Sequence, residues 1–351
     1  MIRLIHRAAA SVFLLVPGML PAQGVERYEL AGDRVAIYNL AGSAVVEAGT
    51  GSAVVVEVRR QGRDAARLDI QQGPIGSAQT LRVVYPDGDV VFAPERWSGR
   101  TEIRVRADGT FGDGGDRRES ARRVRISSDG GGTEASADLR ILVPSGRAVS
   151  VYLAVGPLSA TGVTGDLRLD GSSGRVTTER TAGSLTVDVG SGTVTVRGHQ
   201  GDGLIDTGSG AVNVTGLRGS RLVVDTGSGE VSLADVVVDE LNVDTGSGSV
   251  EGTGVHARAI LIDTGSGEVD LTLARAPETL TADTGSGGVT IAMPDDLNAT
   301  IELATSSGSI TVDFALQIRQ WERDEVRGTI GTGAGHIQID TGSGDITIRK
   351  I

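Results

Sequence analysis

The sequence contains no cysteine and only one lysine, Lys350. The lack of cysteine excludes disulfides, a thiolate nucleophile and a lipidated cysteine, so an exported form has to be stabilised by packing alone. Aromatic residues make up only 3 % of the chain, which is low for a compact domain with a large core. After the N-terminal region, no apolar run is long enough for a transmembrane anchor.

The composition favours short strands and an acidic surface. Glycine supplies 52 of the 351 residues without a collagen-like period, and apolar residues make up 39 % of the chain. This mixture is typical of many short strands joined by tight turns. The formal net charge of −12 argues against a nucleic-acid partner and leaves cations and basic surfaces open as partners.

The first 22 residues have the pattern of a signal peptide. A positive start with Arg3 and Arg7 precedes an apolar stretch that ends at Leu20, and a cleavage site follows Ala22. The apolar stretch is too short to span a bilayer. We therefore expect an exported protein that is periplasmic, on the cell surface or secreted.

An internal repeat dominates the remaining sequence. The pentapeptide Asp-Thr-Gly-Ser-Gly occurs six times, and a close variant begins at Asp188. Degenerate copies begin at Asp170 and Ala304, and the spacings from Asp170 to Ala304 are 18, 18, 19, 19, 19, 20 and 21 residues. The perfect copies begin at Asp206, Asp225, Asp244, Asp263, Asp283 and Asp340.

The segments on both sides of the pentapeptide alternate between apolar and mostly polar residues, which indicates strands. A repeat of about 19 residues cannot bury an apolar face alone, but stacked copies pair in parallel and share one core. The sequence therefore predicts an all-β protein, a parallel β-solenoid (β-helix) with coils of about 18–21 residues. We expect right-handed winding by analogy with parallel crossovers.

The alternation also assigns side chains to faces of the coil. Leu241, Val243 and Thr245 are predicted to point inward, and Asp244 is predicted to point outward. Glycines on both sides of the serine permit positive φ and the close approach of stacked turns. The pentapeptide is therefore predicted to form a corner of the coil.

The repeat pattern divides the chain into segments. Residues 23–71 are predicted to form the first β coils, and residues 72–135 a Gly-, Asp- and Arg-rich insertion with a hairpin and a loop. Residues 136–351 are predicted to form the repeat β-solenoid, with a small insertion at 313–327 that caps the core. The arginines between Arg117 and Arg125 could contact anionic lipid or polysaccharide, but interspersed acids favour a solvated loop.

Two features of the sequence could suggest catalysis, but neither fits the spacing of the repeats. Asp-Thr-Gly occurs in aspartic proteases, but that chemistry needs two copies facing each other across a cleft, whereas these copies follow one another along the coils. Solenoids can host polysaccharide lyases and hydrolases, yet the aromatic residues are scattered and the histidines share no ligand spacing. Lone histidines of this kind are expected to be solvated. The sequence predicts no catalytic, cofactor-binding or metal-ligating residue.

The outward aspartates leave one functional question open. Stacked carboxylates about 4.8 Å apart repel one another, so something has to offset the repulsion. Either each carboxylate accepts hydrogen bonds from backbone N–H groups in its glycine turn, which is favoured, or a row of carboxylates binds Ca²⁺. The residues concerned are Asp188, Asp206, Asp225, Asp244, Asp263, Asp283 and Asp340.

Three features resemble the bacterial "putative adhesin" family of β-strand-repeat proteins, which is also catalogued as a domain of unknown function. They are the run from Ile141 to Gly146, the recurring Thr-Gly-Ser-Gly before an alternating strand, and the ending from Gly328 to Ile346. The resemblance covers residues 138–351 well and 26–70 loosely. It implies a β-helix-like fold at the cell envelope with no established activity.

Together these features favour a non-enzymatic exported envelope protein, an adhesin-like binding module or scaffold that uses the solenoid surface. Its partner would be a cell-envelope polysaccharide or a protein, and no cofactor is expected. The alternatives are a carbohydrate-active β-helix enzyme and a Ca²⁺-binding repeat module.

Overall fold

The computed structural model describes residues 24–93, 98–112 and 121–351. The predicted signal peptide, residues 113–120 of the Arg-rich stretch and Trp97 lie outside the described residues. Apart from a short 3₁₀ helix at Ala65–Arg67, the regular structure of the described residues is all β, and the chain forms a parallel β-solenoid, as the sequence predicts.

The N-terminal part contains the following strands: β1 Glu26–Leu30, β2 Arg34–Ala41, β3 Ala44–Ala48, β4 Val54–Gln61, β5 Asp69–Ile75, β6 Ala78–Val84, β7 Val90–Val91, β8 Arg100–Arg106, β9 Ala121–Ser127, β10 Thr133–Glu134 and β11 Ser136–Val143. The coils continue with β12 Arg147–Val155, β13 Leu158–Thr161, β14 Gly165–Ser173, β15 Val176–Glu179, β16 Leu185–Ser191, β17 Val194–Arg197, β18 Gly203–Ser209, β19 Val212–Thr215, β20 Arg221–Ser228, β21 Val231–Ala234, β22 Val237–Ser247 and β23 Val250–Thr264. The C-terminal part contains β24 Val269–Leu273, β25 Thr279–Thr284, β26 Val289–Met293, β27 Ala299–Thr305, β28 Ile310–Val312, β29 Leu316–Trp321, β30 Glu325–Ile330, β31 Gly335–Thr341 and β32 Ile346–Lys350.

Each coil places one strand in each of two facing sheets. Sheet 1 holds β2, β12 and the strands that carry the pentapeptide, and sheet 2 holds the strands that follow it. The long strand β23 contributes to both sheets. Single parallel bridges such as Gln200–Arg218 form a third ladder at the corner that leads back to sheet 1.

The two sheets enclose one apolar core. Inward residues such as Leu241 and Val243 are buried, Thr245 lies on the same inward side, and Asp244 is exposed, as the alternation predicts. Each fully buried valine, leucine or isoleucine contributes about 1.5–3 kcal/mol relative to an exposed side chain. The core therefore runs the length of the stack because every coil supplies the same inward pattern.

The predicted corner is displaced from the pentapeptide. In β18, β20 and β22, Asp-Thr-Gly-Ser continues the sheet 1 strand, and serine pairs with serine of the next coil, as Ser209 does with Ser228. In β23, β25 and β31 the strand ends at the threonine. The corner interpretation is therefore wrong for Asp-Thr in every perfect copy and for Gly-Ser in the first three, because these residues belong to the parallel ladder.

Close packing between coils explains both glycines of the pentapeptide. A Cβ atom added at Gly246 would lie 2.6 Å from the carbonyl oxygen of Gly227, and one added at Gly248 would lie 2.0 Å from that of Gly229. A Cβ atom at these distances collides with backbone that has no side-chain freedom to move away. Close approach of the coils, rather than positive φ, is the requirement at these two positions.

The insertion at 72–135 contains more regular structure than the sequence indicates. The β5–β6 hairpin extends sheet 1, since β6 pairs in parallel with β2. The strands β7 to β10 form a separate four-stranded sheet. Around the first coil, β1, β4 and β11 extend sheet 2, with antiparallel pairing of β4 to both neighbours. The alternation in this stretch is too short to reveal these pairings in the sequence.

The last coils do not stack in chain order. The coil formed by β31 and β32 lies between the coil of β25–β26 and the coil of β27–β28. The perfect pentapeptide at Asp340 thus follows the one at Asp283, and the degenerate copy at Ala304 lies at the end of the run. The segment 313–327 forms most of the β29–β30 hairpin, whose strand β30 pairs antiparallel with β27 and extends sheet 1.

Candidate functional site: the aspartate row

The outward side chains of the pentapeptides form one continuous line on sheet 1. Parallel pairing puts each aspartate directly beside its equivalent in the next coil, and Asp170 of the first degenerate copy begins the line. We call this line the aspartate row; it consists of Asp170, Asp188, Asp206, Asp225, Asp244, Asp263, Asp283 and Asp340. At the far end of the row, Ala304 replaces the carboxylate.

The row perturbs the ionisation of two of its interior members, Asp244 and Asp283. The pKa of Asp244 is raised, first by burial and then by the carboxylates of Asp225 and Asp263. The pKa of Asp283 is raised in the same way, with Asp263 and Asp340 as its charged neighbours. The like charges therefore oppose the ionised form of these two carboxyls.

Backbone groups of the turn do not relieve this repulsion at Asp244 and Asp283. Within the described part of the chain, no turn N–H donates to either carboxylate, so the favoured expectation is wrong for both. The glycine amides are engaged elsewhere: Gly285 N–H, in the pentapeptide of Asp283, donates to the Thr264 carbonyl at 3.0 Å, and Gly265 N–H, in the pentapeptide of Asp263, donates to the Thr245 carbonyl at 3.1 Å. The backbone turns these amides toward the preceding coil of the stack and away from the carboxylates.

Side chains provide partners at the two ends of the row. Arg168 Nη2 donates to Asp170 Oδ2 at 3.1 Å and to Asp188 Oδ2 at 3.3 Å. At the other end, Gln338 Nε2 donates to Asp340 Oδ2 at 2.9 Å. These contacts therefore offset part of the repulsion at both ends of the row.

The threonines of the pentapeptide lie on the opposite, buried side of the strand. The hydroxyls of Thr264, Thr284 and Thr341 donate to the last glycine of the preceding coil in the stack, at 3.0–3.3 Å. In three earlier coils the buried hydroxyl has no partner; these residues are Thr207, Thr226 and Thr245. The threonine row faces the core and supplies no group to the outward surface.

An aromatic cluster ends the row on its N-terminal side. Tyr152 lies beside Asp170 in register, and Tyr38 lies beside Tyr152 with ring centroids 4.5 Å apart and nearly parallel planes. Phe111 from the insertion packs edge-on against Tyr38 at 5.8 Å. Burial raises the pKa of Tyr38 to about 12. Sequence reasoning missed this cluster because its members are widely separated and share no local motif.

A cleft of about 480 Å³ ends the row on its C-terminal side. Asp283 and Asp340 line one side, and acidic residues of the β29–β30 hairpin line the other; these are Glu322, Asp324 and Glu325. The hairpin therefore extends the acidic character of the row around the end of sheet 1. Among residues 24–93, 98–112 and 121–351, no three His, Cys, Asp or Glu side chains are grouped closely enough to hold a metal ion.

The three histidines of the described residues, His199, His256 and His336, form no group that could hold a metal ion, in agreement with their spacing. His199 is nonetheless buried, with Nδ1 2.9 Å from Thr181 Oγ1 and Nε2 3.3 Å from the Asp202 carbonyl. Burial lowers the pKa of His199. The expectation of a solvated surface histidine is wrong here, because His199 lies at the inward side of the corner ladder.

The fold and the row define a repeat β-solenoid with an extended polar face. The family model of the Toastrack DUF4097 domain matches residues 80–349, and the chain belongs to this family, a domain of unknown function. This match confirms the resemblance seen in the sequence to a β-repeat family that is a domain of unknown function.

Among solved structures, the chain is similar to one described as a "putative cell adhesion protein" from Clostridium sporogenes. The identity is 9 %, the match covers 93 % of this chain and 99 % of the other, and the TM-score of 0.23 is too low to support a structural argument. No curated protein matches the chain. In the described part of the chain, no helix has the length and apolar character needed to cross a membrane.

Proposed function

We propose that this protein is an exported, non-enzymatic binding module of the adhesin-like type, which contacts its partner through the outward face of sheet 1. One observation carries this proposal: the same outward side chain recurs in register from coil to coil at a spacing of about 4.8 Å. A periodic surface of this kind suits an extended partner with a repeating structure, such as a cell-envelope polysaccharide.

Two further features of this face support binding. The interior carboxylates carry a repulsion that a positively charged partner would relieve, as the raised pKa of Asp244 indicates. Leu204 and Leu261 are exposed, and both lie on the outward line next to the aspartate row. The face therefore combines charge with accessible apolar area, which is a common property of recognition surfaces.

A glycan array tests this proposal. We expect the full chain to bind one class of polysaccharide without releasing products, and the triple variant Asp225→Asn, Asp244→Asn, Asp263→Asn to lose at least tenfold in affinity. A matched triple variant on sheet 2, Asn213→Ala, Ser232→Ala, Glu251→Ala, should bind as the parent does. Release of shortened sugars would instead favour the carbohydrate-active enzyme.

A Ca²⁺-binding module is the weaker, second candidate: the row offers carboxylate oxygens, the ligands that Ca²⁺ prefers, but among the described residues no three acidic or histidine side chains are grouped closely enough to hold a metal ion. Thermal unfolding with Ca²⁺ and with a chelator separates the two. An upward shift of Tm with Ca²⁺ that the triple Asp→Asn variant abolishes would support the cation site, and equal Tm values would eliminate it.

Export is the third part of the proposal and is tested independently. We expect the mature protein to begin at Gln23, because the cleavage site follows Ala22. N-terminal sequencing of protein recovered from the periplasm or medium checks this. An intact Met1 on cytoplasmic material would contradict it.

A further inference from the structure

The coil of β31 and β32, which we call the C-terminal coil (335–350), occupies a slot between two coils that precede it in the chain. In sheet 1 it pairs with β25 on one side and β27 on the other. In sheet 2 it pairs with β26 and β28. The coils of β25–β26 and β27–β28 are therefore separated by the width of one coil, and the C-terminal coil fills that space.

The C-terminal coil completes the slot by pairing with the coil on each side of it. Val289 N–H donates to the Asp345 carbonyl at 2.9 Å on one side, and Ile346 N–H donates to the Ser309 carbonyl at 2.9 Å on the other. The coil also contributes four isoleucines that are fully buried: Ile337, Ile339, Ile346 and Ile348. An empty slot would expose two pairs of strand edges and a section of the core, so it requires an occupant.

A single turn connects the C-terminal coil to β30. Gly331 and Gly333 have φ values of 63° and 76°, and the Asn298 side chain holds the turn in its compact form. Asn298 Oδ1 accepts from the amides of Thr332 at 2.9 Å and Gly333 at 2.7 Å. The turn is therefore closed largely by one side chain, and four residues separate the coil from Ile330.

We propose that the C-terminal coil is exchangeable, and that its slot accepts the same coil from a second copy of this chain. The second copy is the occupant that fits, because the slot already matches this segment residue by residue in both sheets. Opening the turn at 331–334 gives a connection of up to about 14 Å. Two copies that meet at the corner next to this turn can then exchange coils about a two-fold axis.

The absence of cysteine in the sequence makes the exchange measurable. One variant carries Thr281→Cys and the other Gln338→Cys, at positions that are direct partners across the slot. Directly opposed residues of parallel strands lie within the Cα separation that a disulfide spans. After the mixed variants pass through moderate urea and are oxidised, we expect a disulfide-linked dimer that contains one of each.

Three comparisons complete the test. A mixture of Thr281→Cys with Asn242→Cys should give only background dimer, since exchange does not bring these positions together. Both cysteines in one chain should give a linked monomer, because the coil fills its own slot at low concentration. Asn298→Ala should raise the mixed-dimer fraction by roughly tenfold, because the closed turn loses its hydrogen bonds.

If the fraction of mixed dimer from Thr281→Cys and Gln338→Cys is no higher than the background from the Asn242→Cys mixture, the proposal that the coils exchange is wrong. Failure of the single chain with both cysteines to link would also overturn it, since the coil would then not lie in the slot. An unchanged or lower dimer fraction with Asn298→Ala would contradict the role of the turn.

Discussion

Replacing Gly248 with alanine tests the close packing of stacked pentapeptides. The added Cβ atom would lie 2.0 Å from the carbonyl oxygen of Gly229, whereas ordinary contacts begin near 3.4 Å. The two coils would have to separate locally by 1.4 Å, the difference of these two distances. The adjacent ladder bond from Val231 N–H to the Ser249 carbonyl, now 2.9 Å, would then exceed hydrogen-bond length.

The expected cost combines two effects. Inserting a methyl group where there is no space costs about 1–3 kcal/mol, and each weakened ladder bond costs about 1 kcal/mol. With one or two bonds affected, we expect Gly248→Ala to lower the free energy of unfolding by about 2–5 kcal/mol. The change adds no polar group and removes none, so the loss would arise from coil spacing alone.

Gly131→Ala is the matched control. Gly131 is exposed, nothing lies within 4 Å of its added Cβ atom, and its φ is not in the left-handed region. We expect this substitution to leave stability unchanged or to raise it by up to about 1 kcal/mol.

Urea unfolding followed by circular dichroism measures both variants, and hydrogen exchange at the Val231 amide reports the local opening that repeat arrays permit. A Gly248→Ala variant within about 0.5 kcal/mol of Gly131→Ala, with unchanged exchange at Val231, would refute the packing argument.

Three other predictions concern the same repeats. Thr341→Val should cost about 1 kcal/mol in unfolding free energy, whereas Thr245→Val should be neutral or stabilising, because only the first hydroxyl has a partner; a larger loss for Thr245→Val would contradict this. The pKa values of Asp244 and Asp283 are raised in the folded state, which therefore favours the protonated carboxyls. The contribution of these two carboxyls to the free energy of unfolding is lowest at neutral pH and rises as the pH falls through their raised pKa values. Asp244→Asn should therefore stabilise the protein at pH 7 by a few tenths of a kcal/mol, with the gain shrinking in acid; denaturant midpoints at pH 7 and pH 4 check the sign, and a gain that grows in acid would refute it.

The repeat allowed the fold to be predicted because each coil repeats the same pattern of alternation. Inward Val243 and Thr245 and outward Asp244 follow from strand periodicity alone. The position of the corner does not follow from periodicity, because a glycine required for coil contact and a glycine required for a bend look identical in a sequence. Gly246 is of the first kind and lies within strand β22.

The order of the last coils could not be predicted, since parallel pairing does not reveal which of two similar coils is the neighbour. The pairing of Asp283 with Asp340, rather than with Ala304, depends on contacts between segments that are distant in sequence. The aromatic cluster of Tyr38, Tyr152 and Phe111 depends in the same way on how the insertion folds against sheet 1. The outward aspartates were found from sequence, but the lack of turn hydrogen bonds at Asp244 and Asp283 required the backbone geometry.

Cysteine pairs in the middle of the stack test most directly whether adjacent pentapeptides lie in register. Asn242 pairs with Leu261, and Leu261 pairs with Thr281, so Asn242 and Thr281 lie two coils apart. In the stacked solenoid, we expect rapid disulfide formation in the double variant Asn242→Cys, Leu261→Cys. We expect little or none in Asn242→Cys, Thr281→Cys, whose Cα atoms are about 9.6 Å apart at the usual strand spacing. Equal linking of the two variants, or preferential linking of the second, would contradict the stacked solenoid.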